Sequence, residues 1–307
     1  MAAALRVVVI AEEAAGVQVL RGLSGLQPVP EIVAVLTRSA AEGAARPVVY
    51  EAAQALRLEV WPSASVRSAA LATRLRTARV DLLVNVHSLY LVHPAVVGAP
   101  SIGSFNLHPG PLPEYAGLNV PSWAIYEGKR SHGVTLHWMD EGIDTGPIVW
   151  QERFSIEPED TGLAVSGKCV RHGVPLTLRL AALAAQDSGL IPREEQDPTR
   201  RRYLAPGPPA DGRVDWSQPA DAILRVVRAA DYSPFQSPWG HPQAKLAGMK
   251  VGIAKAAGTG IGAAQPPGTV TEVSDAGVTV ATGDELILLK RLWLDGRYFK
   301  PKELLAD

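Results

Sequence analysis

Short apolar runs alternate with stretches of helical spacing over the first third of the chain, and this alternation restricts the fold more than any other feature. Leu5–Ala11 is a β-branched run, Val17, Leu20 and Leu23 recur at helical spacing, and Ile32–Thr37 is a second run. Such runs are typical of parallel strands that are covered by helices on both faces. The sequence therefore predicts an α/β domain with a doubly wound, mostly parallel, Rossmann-like sheet.

A change of pattern divides the 307-residue chain into two predicted domains. The alternation ends near residue 190, and residues 191–212 carry five prolines together with Arg200–Arg202, which is the composition of a linker. Beyond it come one amphipathic helix and short strands broken by Gly and Pro, which favour a small barrel. We predict a first domain over 1–190, a linker over 191–212, and a helix with an OB-like β-barrel over 213–307.

Composition and charge restrict the partners and the compartment. The chain has 30 Lys and Arg residues and 31 Asp and Glu residues, so its formal charge of −1 does not indicate bulk attraction to nucleic acid or an anionic membrane. One cysteine, Cys169, allows neither an internal disulfide nor a CxxC pair. We expect neither a signal peptide nor a membrane span, because the first apolar run, Val7–Ile10, lacks a basic region and a cleavage site, and no apolar stretch approaches the roughly 20 residues that span a bilayer. We expect a cytoplasmic protein without a membrane partner.

Two glycine-containing segments are compared with the phosphate-binding loops of nucleotide-binding proteins. The turn after the first predicted strand, Ala11–Gly16, reads AEEAAG instead of GxGxxG, so two carboxylates would face a phosphate. Gly258–Gly262 is glycine-rich but leads into Pro266–Pro267 instead of a helix, and we interpret it as a flexible linker. Neither NAD nor ATP is predicted.

The segment Ser104–Gly117 holds the densest group of unusual residues. It begins within a predicted strand, Ile102–Leu107, and continues past the carboxyl end of that strand. Asn106 and His108 are two apart on this strand, so their side chains lie on the same face. An amide donor beside an imidazole suits an acyl-transfer transition state, in which an oxyanion forms and a proton moves. On spacing alone, a structural role at the strand end explains this pair at least as well.

A second unusual segment, Met139–Pro147, is a carboxylate-rich loop with two glycines. A buried Asp144 in such a loop could orient His108 and stabilise its imidazolium form. The alternative is an ordinary acidic hairpin loop. His132 and His137 differ by five positions and face opposite sides of a strand, so they are interpreted as structural, and no metal site is predicted.

Together the two segments resemble the folate-dependent formyltransferase family. The pattern N-x-H followed by L-P-x-aromatic-x-G matches Asn106, His108 and Leu112–Gly117, and the pattern D-x-G-x-D-x-G matches Asp140–Gly146. Asp211–Ser217 is similar to the junction before the C-terminal barrel of the methionyl-tRNA and amino-sugar formyltransferases. The resemblance therefore covers nearly the whole chain.

The resemblance implies that N10-formyltetrahydrofolate donates a formyl group to a primary amine, without metal or NAD. The catalytic residues that it implies are Asn106, His108 and Asp144. The residues that we expect to contact the folate are Ser88, Leu89, Tyr90, Leu91, Met139, Asp140, Glu141, Gly142 and Ile143. The residues that we expect to contact the amine substrate are Pro109, Gly110, Tyr115 and Asn119.

The charge of the loop after His108 bears on the identity of the amine. Members of the family that act on tRNA carry a basic loop after the catalytic histidine, whereas residues 80–128 here contain no Lys or Arg. We therefore favour a small-molecule amine, either an amino sugar or an amino acid or peptide intermediate of specialised metabolism. A nucleotide-linked sugar would need Arg200–Arg202 or Lys168 to bind its diphosphate. The alternatives are a methionyl-tRNA formyltransferase and a formyltetrahydrofolate hydrolase, and the oligomeric state is not predicted.

Overall fold

The computed structural model describes residues 4–43, 47–88 and 90–305. Its strands are β1 Arg6–Ala11, β2 Glu31–Thr37, β3 Val60–Pro62, β4 Leu82–Val86, β5 Gly103–His108, β6 Ala116–Gly117, β7 Ser131–Trp138, β8 Ile148–Ser155, β9 Tyr203–Leu204, β10 Gln243–Leu246, β11 Met249–Gly262, β12 Val270–Ser274, β13 Gly277–Ala281, β14 Glu285–Leu294 and β15 Arg297–Phe299. Its α-helices are α1 Ala14–Ser24, α2 Val48–Ala55, α3 Ala70–Thr77, α4 Pro94–Val97, α5 Val120–Tyr126, α6 Gly162–Asp187, α7 Ala220–Ala229 and α8 Pro301–Leu305.

The described residues form two compact units, each assembled from three stretches of sequence. The first unit comprises Met1–Ala116, Gly133–Arg153 and Lys168–Tyr203, and the second comprises Gly117–His132, Phe154–Gly167 and Leu204–Asp307. Two stretches from the middle of the predicted first domain thus belong to the second unit, and no change of composition marks them. The boundaries 1–190, 191–212 and 213–307 stay a prediction.

A seven-stranded sheet forms the centre of the first unit, in the order β3-β2-β1-β4-β5-β7-β8. The strands from β3 to β5 pair in parallel, whereas β7 runs antiparallel to β5. This arrangement confirms the predicted mostly parallel, doubly wound sheet. The antiparallel strand β7 places Asn106 directly opposite His137.

Apolar burial on both faces holds this sheet in place. In β1 every residue after Arg6 is buried, which explains why the strand reads as a continuous apolar run. Glycines allow helices α1 and α6 to lie close to the sheet. A Cβ on Gly16 of α1 would lie 2.4 Å from Cβ of Ala11, and a Cβ on Gly173 of α6 would lie 2.9 Å from Leu107. Each fully buried Leu or Ile side chain contributes about 1.5–3 kcal/mol relative to an exposed one.

The second unit contains a six-stranded antiparallel sheet in the order β10-β11-β14-β13-β12, with β15 paired to β14. Helix α7 packs on it through Ile223 and Val227, which join the buried cluster of the sheet. The predicted C-terminal β domain with a leading helix is thus confirmed as an antiparallel sheet domain.

The interpretation of Gly258–Gly262 as a flexible linker is wrong. These residues form the end of β11, where Gly258 lies opposite Ile287 and Gly262 opposite Glu285 on β14. The register shifts between the two pairs, which is how small residues continue a strand through an irregularity. None of the helices in the described part of the chain is long and apolar enough to cross a membrane.

Candidate active site

Asn106 and His108 lie on the same face of β5 near its carboxyl end, as their spacing predicts. His108 is buried, with 3% of its surface exposed. Its Nε2 lies 2.5 Å from the backbone oxygen of Tyr115, and its Nδ1 lies 3.5 Å from Oδ1 of Asp144. Because a carbonyl oxygen only accepts, Nε2 carries the proton and Nδ1 faces the carboxylate.

Asp144 reaches this face because its loop folds back along β5. The loop follows β7 and begins beside Ser104, where the backbone nitrogen of Met139 donates to the Ser104 oxygen (2.8 Å). Asp144 itself has a left-handed backbone (φ 55°), and a Cβ on Gly146 would lie 2.0 Å from the Trp138 oxygen. A tight turn that only glycine permits therefore carries the carboxylate to the histidine.

The same loop is held by hydrogen bonds that leave the Asp144 carboxylate facing the site. Oδ1 of Asp140 accepts from the Gly142 nitrogen (3.0 Å) and from Oγ1 of Thr145 (2.6 Å). Nε2 of Gln196 donates to the backbone oxygens of Asp144 (3.0 Å) and Gly146 (2.7 Å). The loop is thus fixed by its own turn and by the later segment that contains Gln196.

A chain of amides fixes the orientation of Asn106. Nδ2 of Asn85 donates to Oδ1 of Asn106 (2.9 Å), and the Ser88 nitrogen donates to Oδ1 of Asn85 (3.2 Å). Nδ2 of Asn106 then donates to Nε2 of His137 (3.0 Å) and to Oδ1 of Asp144 (3.3 Å). A reversed amide would place the Asn106 oxygen against the carboxylate, so this network selects one orientation.

His137 and Asn85 are the residues that the sequence reasoning missed. His137 is buried, its Nδ1 donates to the Trp138 oxygen (2.6 Å), and its Nε2 lies 3.6 Å from Oδ1 of Asp144. Asn85 lies beside Asn106 across the parallel β4–β5 pair. Only the sheet order and the antiparallel direction of β7 reveal that these side chains meet.

Burial is the main influence on the ionisation of His108. Desolvation lowers the pKa of His108 below its usual value, and Asp144 and the hydrogen bond to the Tyr115 oxygen partly oppose this by favouring the charged form. The nearby His137 and His87 lower the pKa further. The imidazole is therefore neutral near pH 7, beside an oriented amide and a carboxylate. This combination provides hydrogen-bond donors and a proton acceptor for acyl transfer.

The first predicted folate segment follows β4. Oγ of Ser88 accepts from the Tyr90 nitrogen (3.1 Å), and Tyr90 packs against the buried cluster of the first unit together with Met139. Leu91 is 71% exposed. Leu89 lies outside the described residues.

The second predicted folate segment is the start of the Asp144 loop. Asp140, Glu141, Gly142 and Ile143 are exposed, although the Asp140 carboxylate is engaged within the turn. The Ile143 oxygen accepts from Nη2 of Arg201 (2.9 Å). Contact of the nine residues in these two segments with a folate stays a prediction.

The predicted substrate contacts fall into two groups. In the first unit, the Pro109 oxygen accepts from Cys169 (3.5 Å), the Gly110 oxygen accepts from Oγ1 of Thr135 (2.7 Å), and Tyr115 is buried. In the second unit, Asn119 has a left-handed backbone (φ 56°), and its Nδ2 donates to the Pro206 oxygen (2.7 Å). Contact of these four residues with an amine stays a prediction.

Across residues 4–43, 47–88 and 90–305, no cluster of three His, Cys, Asp or Glu side chains could hold a metal ion.

Comparison with known proteins identifies the family. The model of the formyl transferase family matches residues 5–174, and the model of the formyl transferase C-terminal domain matches residues 208–306. A methionyl-tRNA formyltransferase from Synechococcus sp. is 33% identical over 253 residues, which is 80% of this chain and 76% of the relative.

Solved structures support the same fold. A sugar 3N-formyl transferase, WlaRD, solved with dTDP and 5-N-formyl-THF, has a TM-score of 0.69 at 15% identity and covers 94% of this chain and 98% of its own. The N-formyltransferase from Helicobacter canadensis, solved with folinic acid and dTDP-3-aminofucose, has a TM-score of 0.67 at 17% identity and covers 93% and 99%. With both domain models matched, the resemblance inferred from the two motifs is confirmed, and the chain belongs to the formyl transferase family.

Proposed function

We propose that this protein transfers the formyl group of N10-formyltetrahydrofolate to the primary amine of a small molecule. The observation that carries the proposal is the contact of Asn106, His108 and Asp144, in which Oδ1 of Asp144 lies 3.3 Å from Nδ2 of Asn106 and 3.5 Å from Nδ1 of His108. An amide, an imidazole and a carboxylate at one point are the groups that a tetrahedral intermediate needs.

In the proposed reaction a neutral amine attacks the formyl carbon, the new C–N bond forms, and the bond from that carbon to N10 breaks. Asn106 donates two hydrogen bonds from Nδ2, and the one to Asp144 is the longer (3.3 Å, against 3.0 Å to His137). Asn106 stabilises the oxyanion by exchanging this longer hydrogen bond for one to the substrate. His108 takes one proton from the amine on Nδ1, Asp144 beside it stabilises the imidazolium that forms, and the proton then passes to N10. Removing one such oxyanion donor costs on the order of 100- to 1000-fold in turnover.

Two observations support a small acceptor. Residues 80–128 contain no Lys or Arg, so the loop after His108 has no cation for a phosphate. The arginines nearby within the first unit contact the protein itself: Arg200 pairs with Glu114, and Nη2 of Arg201 donates to the Ile143 oxygen. We therefore propose an amino sugar, or an amino acid or peptide intermediate of specialised metabolism, as the acceptor class.

Methionyl-tRNA is the second candidate acceptor. The 33%-identical relative is a methionyl-tRNA formyltransferase. In the second unit, Lys245 lies directly opposite Lys250, and Lys255 directly opposite Arg291, and all four are exposed. Like charges across a strand pair are destabilising, and a polyanion would offset their repulsion.

Donor binding and acceptor choice are tested in two steps. Thermal unfolding is first measured with 5-formyltetrahydrofolate, and with NADH as the control. A ligand at about 100 times its Kd adds roughly 2.7 kcal/mol to stability, so a shift with the folate alone supports the donor. No shift at saturating folate would contradict it. A cytoplasmic location rests on the sequence alone and stays a prediction.

The second step supplies N10-formyltetrahydrofolate with a radiolabelled formyl group. The acceptors are nucleotide-linked amino sugars, free amino acids, short peptides and methionyl-tRNA, and His108→Gln is the inactive control. Label in a small amine supports the proposal, whereas label only in tRNA identifies the second candidate. Release of formate without any formylated amine would identify a hydrolase.

A further inference from the structure

The loop that follows β5 controls the hydrogen bond of His108. Nε2 of His108 donates to the Tyr115 oxygen, and both residues are buried. The partner of one ring nitrogen decides which tautomer the ring adopts and which nitrogen faces the other side. The position of one backbone oxygen therefore determines that Nδ1 of His108 faces Asp144.

The first half of this loop is anchored to β7 and β8. Oγ1 of Thr135 donates to the Gly110 oxygen (2.7 Å) and accepts from the Leu112 nitrogen (3.1 Å). Nε2 of Gln151 donates to the Leu112 oxygen (2.9 Å). These hydrogen bonds end at Leu112, three residues before the oxygen that His108 uses, and β8 reaches beyond them only through an ion pair of Arg153 with Glu114 (3.8 Å).

The second half is held by a different part of the chain, around Arg202. The Arg202 nitrogen donates to the Pro113 oxygen (3.2 Å), and the Arg202 oxygen accepts from the Ala116 nitrogen (3.1 Å), so the two bonds enclose Tyr115. The Arg202 guanidinium lies over the Tyr115 ring, 5.4 Å from its centre. Arg200 adds an ion pair with Glu114.

We propose that Arg200–Arg202 is a clamp that holds the Tyr115 oxygen on Nε2 of His108, and that Arg200 and Arg202 are positioning residues for formyl transfer. The catalytic part of this proposal rests on the proposed function. Its physical basis is that a surface ion pair and a cation–π contact, each weak alone, act on Glu114 and Tyr115, the two residues that the backbone bonds enclose.

The clamp is tested first without any substrate. Nitrogen-15 NMR reports the protonation of both imidazole nitrogens of His108. The signals of His108 are identified by their absence in His108→Gln. We expect wild type to show the Nε2–H tautomer, and Arg200→Ala/Arg202→Ala and Arg202→Pro to show a mixture. Arg200→Lys/Arg202→Lys should retain the wild-type signals, as should Arg171→Ala, which removes an exposed arginine of α6.

The same variants are then measured for turnover. Arg200→Ala/Arg202→Ala should lower kcat by about tenfold with little change in the KM of the donor. The hydrogen bond to Tyr115 opposes the lowering of the pKa of His108, as does Asp144, whereas His137 and His87 add to it. When kcat is measured against pH, loss of the clamp should therefore move the pKa that reports His108 to lower pH. Arg200→Lys/Arg202→Lys should keep that pKa at its wild-type position.

The two proposals fail in different ways. Unchanged imidazole signals of His108 in Arg200→Ala/Arg202→Ala and in Arg202→Pro would overturn the clamp, even if kcat fell. A wild-type protein that neither transfers nor releases formate would overturn the proposed function, and the NMR result would still decide whether the clamp exists.

Discussion

Asn106 and His137 face each other across the antiparallel pair of β5 and β7, with Nδ2 of Asn106 3.0 Å from Nε2 of His137. Since Nδ1 of His137 donates to the Trp138 oxygen, Nε2 is the accepting nitrogen. His137 therefore takes one of the two amide hydrogens of Asn106 and leaves the other on Asp144. The histidine orients the amide, and the amide is the group that we assign to the oxyanion.

Asn85→Ala tests whether the orientation of Asn106 matters. The change removes the donor on Oδ1 of Asn106, so the amide is held only through Nδ2, by His137 and Asp144, and is positioned less precisely. We expect kcat to fall roughly tenfold to a hundredfold, because misplaced reacting groups carry costs of this size. Steady-state kinetics with the labelled donor measure the change. Gln54→Ala, which removes an exposed amide on α2, is the control, and an equal kcat in both variants would refute the role of Asn85.

Asp144→Asn tests the charge beside His108. Asn tolerates the left-handed backbone of this position, so the variant should fold. We expect kcat to fall by at least about 100-fold, and the pKa of His108 to fall further because Asp144 favours its charged form. Glu152→Gln, an exposed carboxylate of β8, should leave kcat unchanged. Retention of more than about a tenth of wild-type turnover in Asp144→Asn would contradict the assignment.

Two glycine variants test how closely α1 and α6 are packed. A Cβ on Gly16 would lie 2.4 Å from Cβ of Ala11, so Gly16→Ala should destabilise the protein by about 1–3 kcal/mol. A Cβ on Gly167 of α6 would meet no atom within 4 Å, so Gly167→Ala should add about 0.5–1 kcal/mol through helix propensity. Chemical denaturation measures both. Equal effects of the same sign would contradict this account.

The sequence was sufficient for the central sheet because its buried strands are continuous apolar runs, as β1 illustrates. It was also sufficient to place Asn106 and His108 on one face of β5, because side chains two residues apart on a strand point to the same side. It was insufficient for His137 and Asn85, because their contacts depend on which strands lie beside β5 and in which direction they run. Gly258–Gly262 was misinterpreted because glycines, which usually mark turns, here continue β11 through a register shift.

The pH dependence of stability gives a test of His108 that needs no substrate. Burial lowers the pKa of His108 in the folded protein, so below about pH 6.5 the unfolded chain binds a proton that the folded chain does not. Stability should therefore decrease as the pH falls through about 6.5, and level off below the folded pKa. His241, whose pKa burial also lowers, acts in the same direction. We therefore compare denaturation of wild type and His108→Gln between pH 5 and 8: the variant should lose part of the slope, and an identical slope would contradict the prediction by showing that folding leaves the pKa of His108 unchanged.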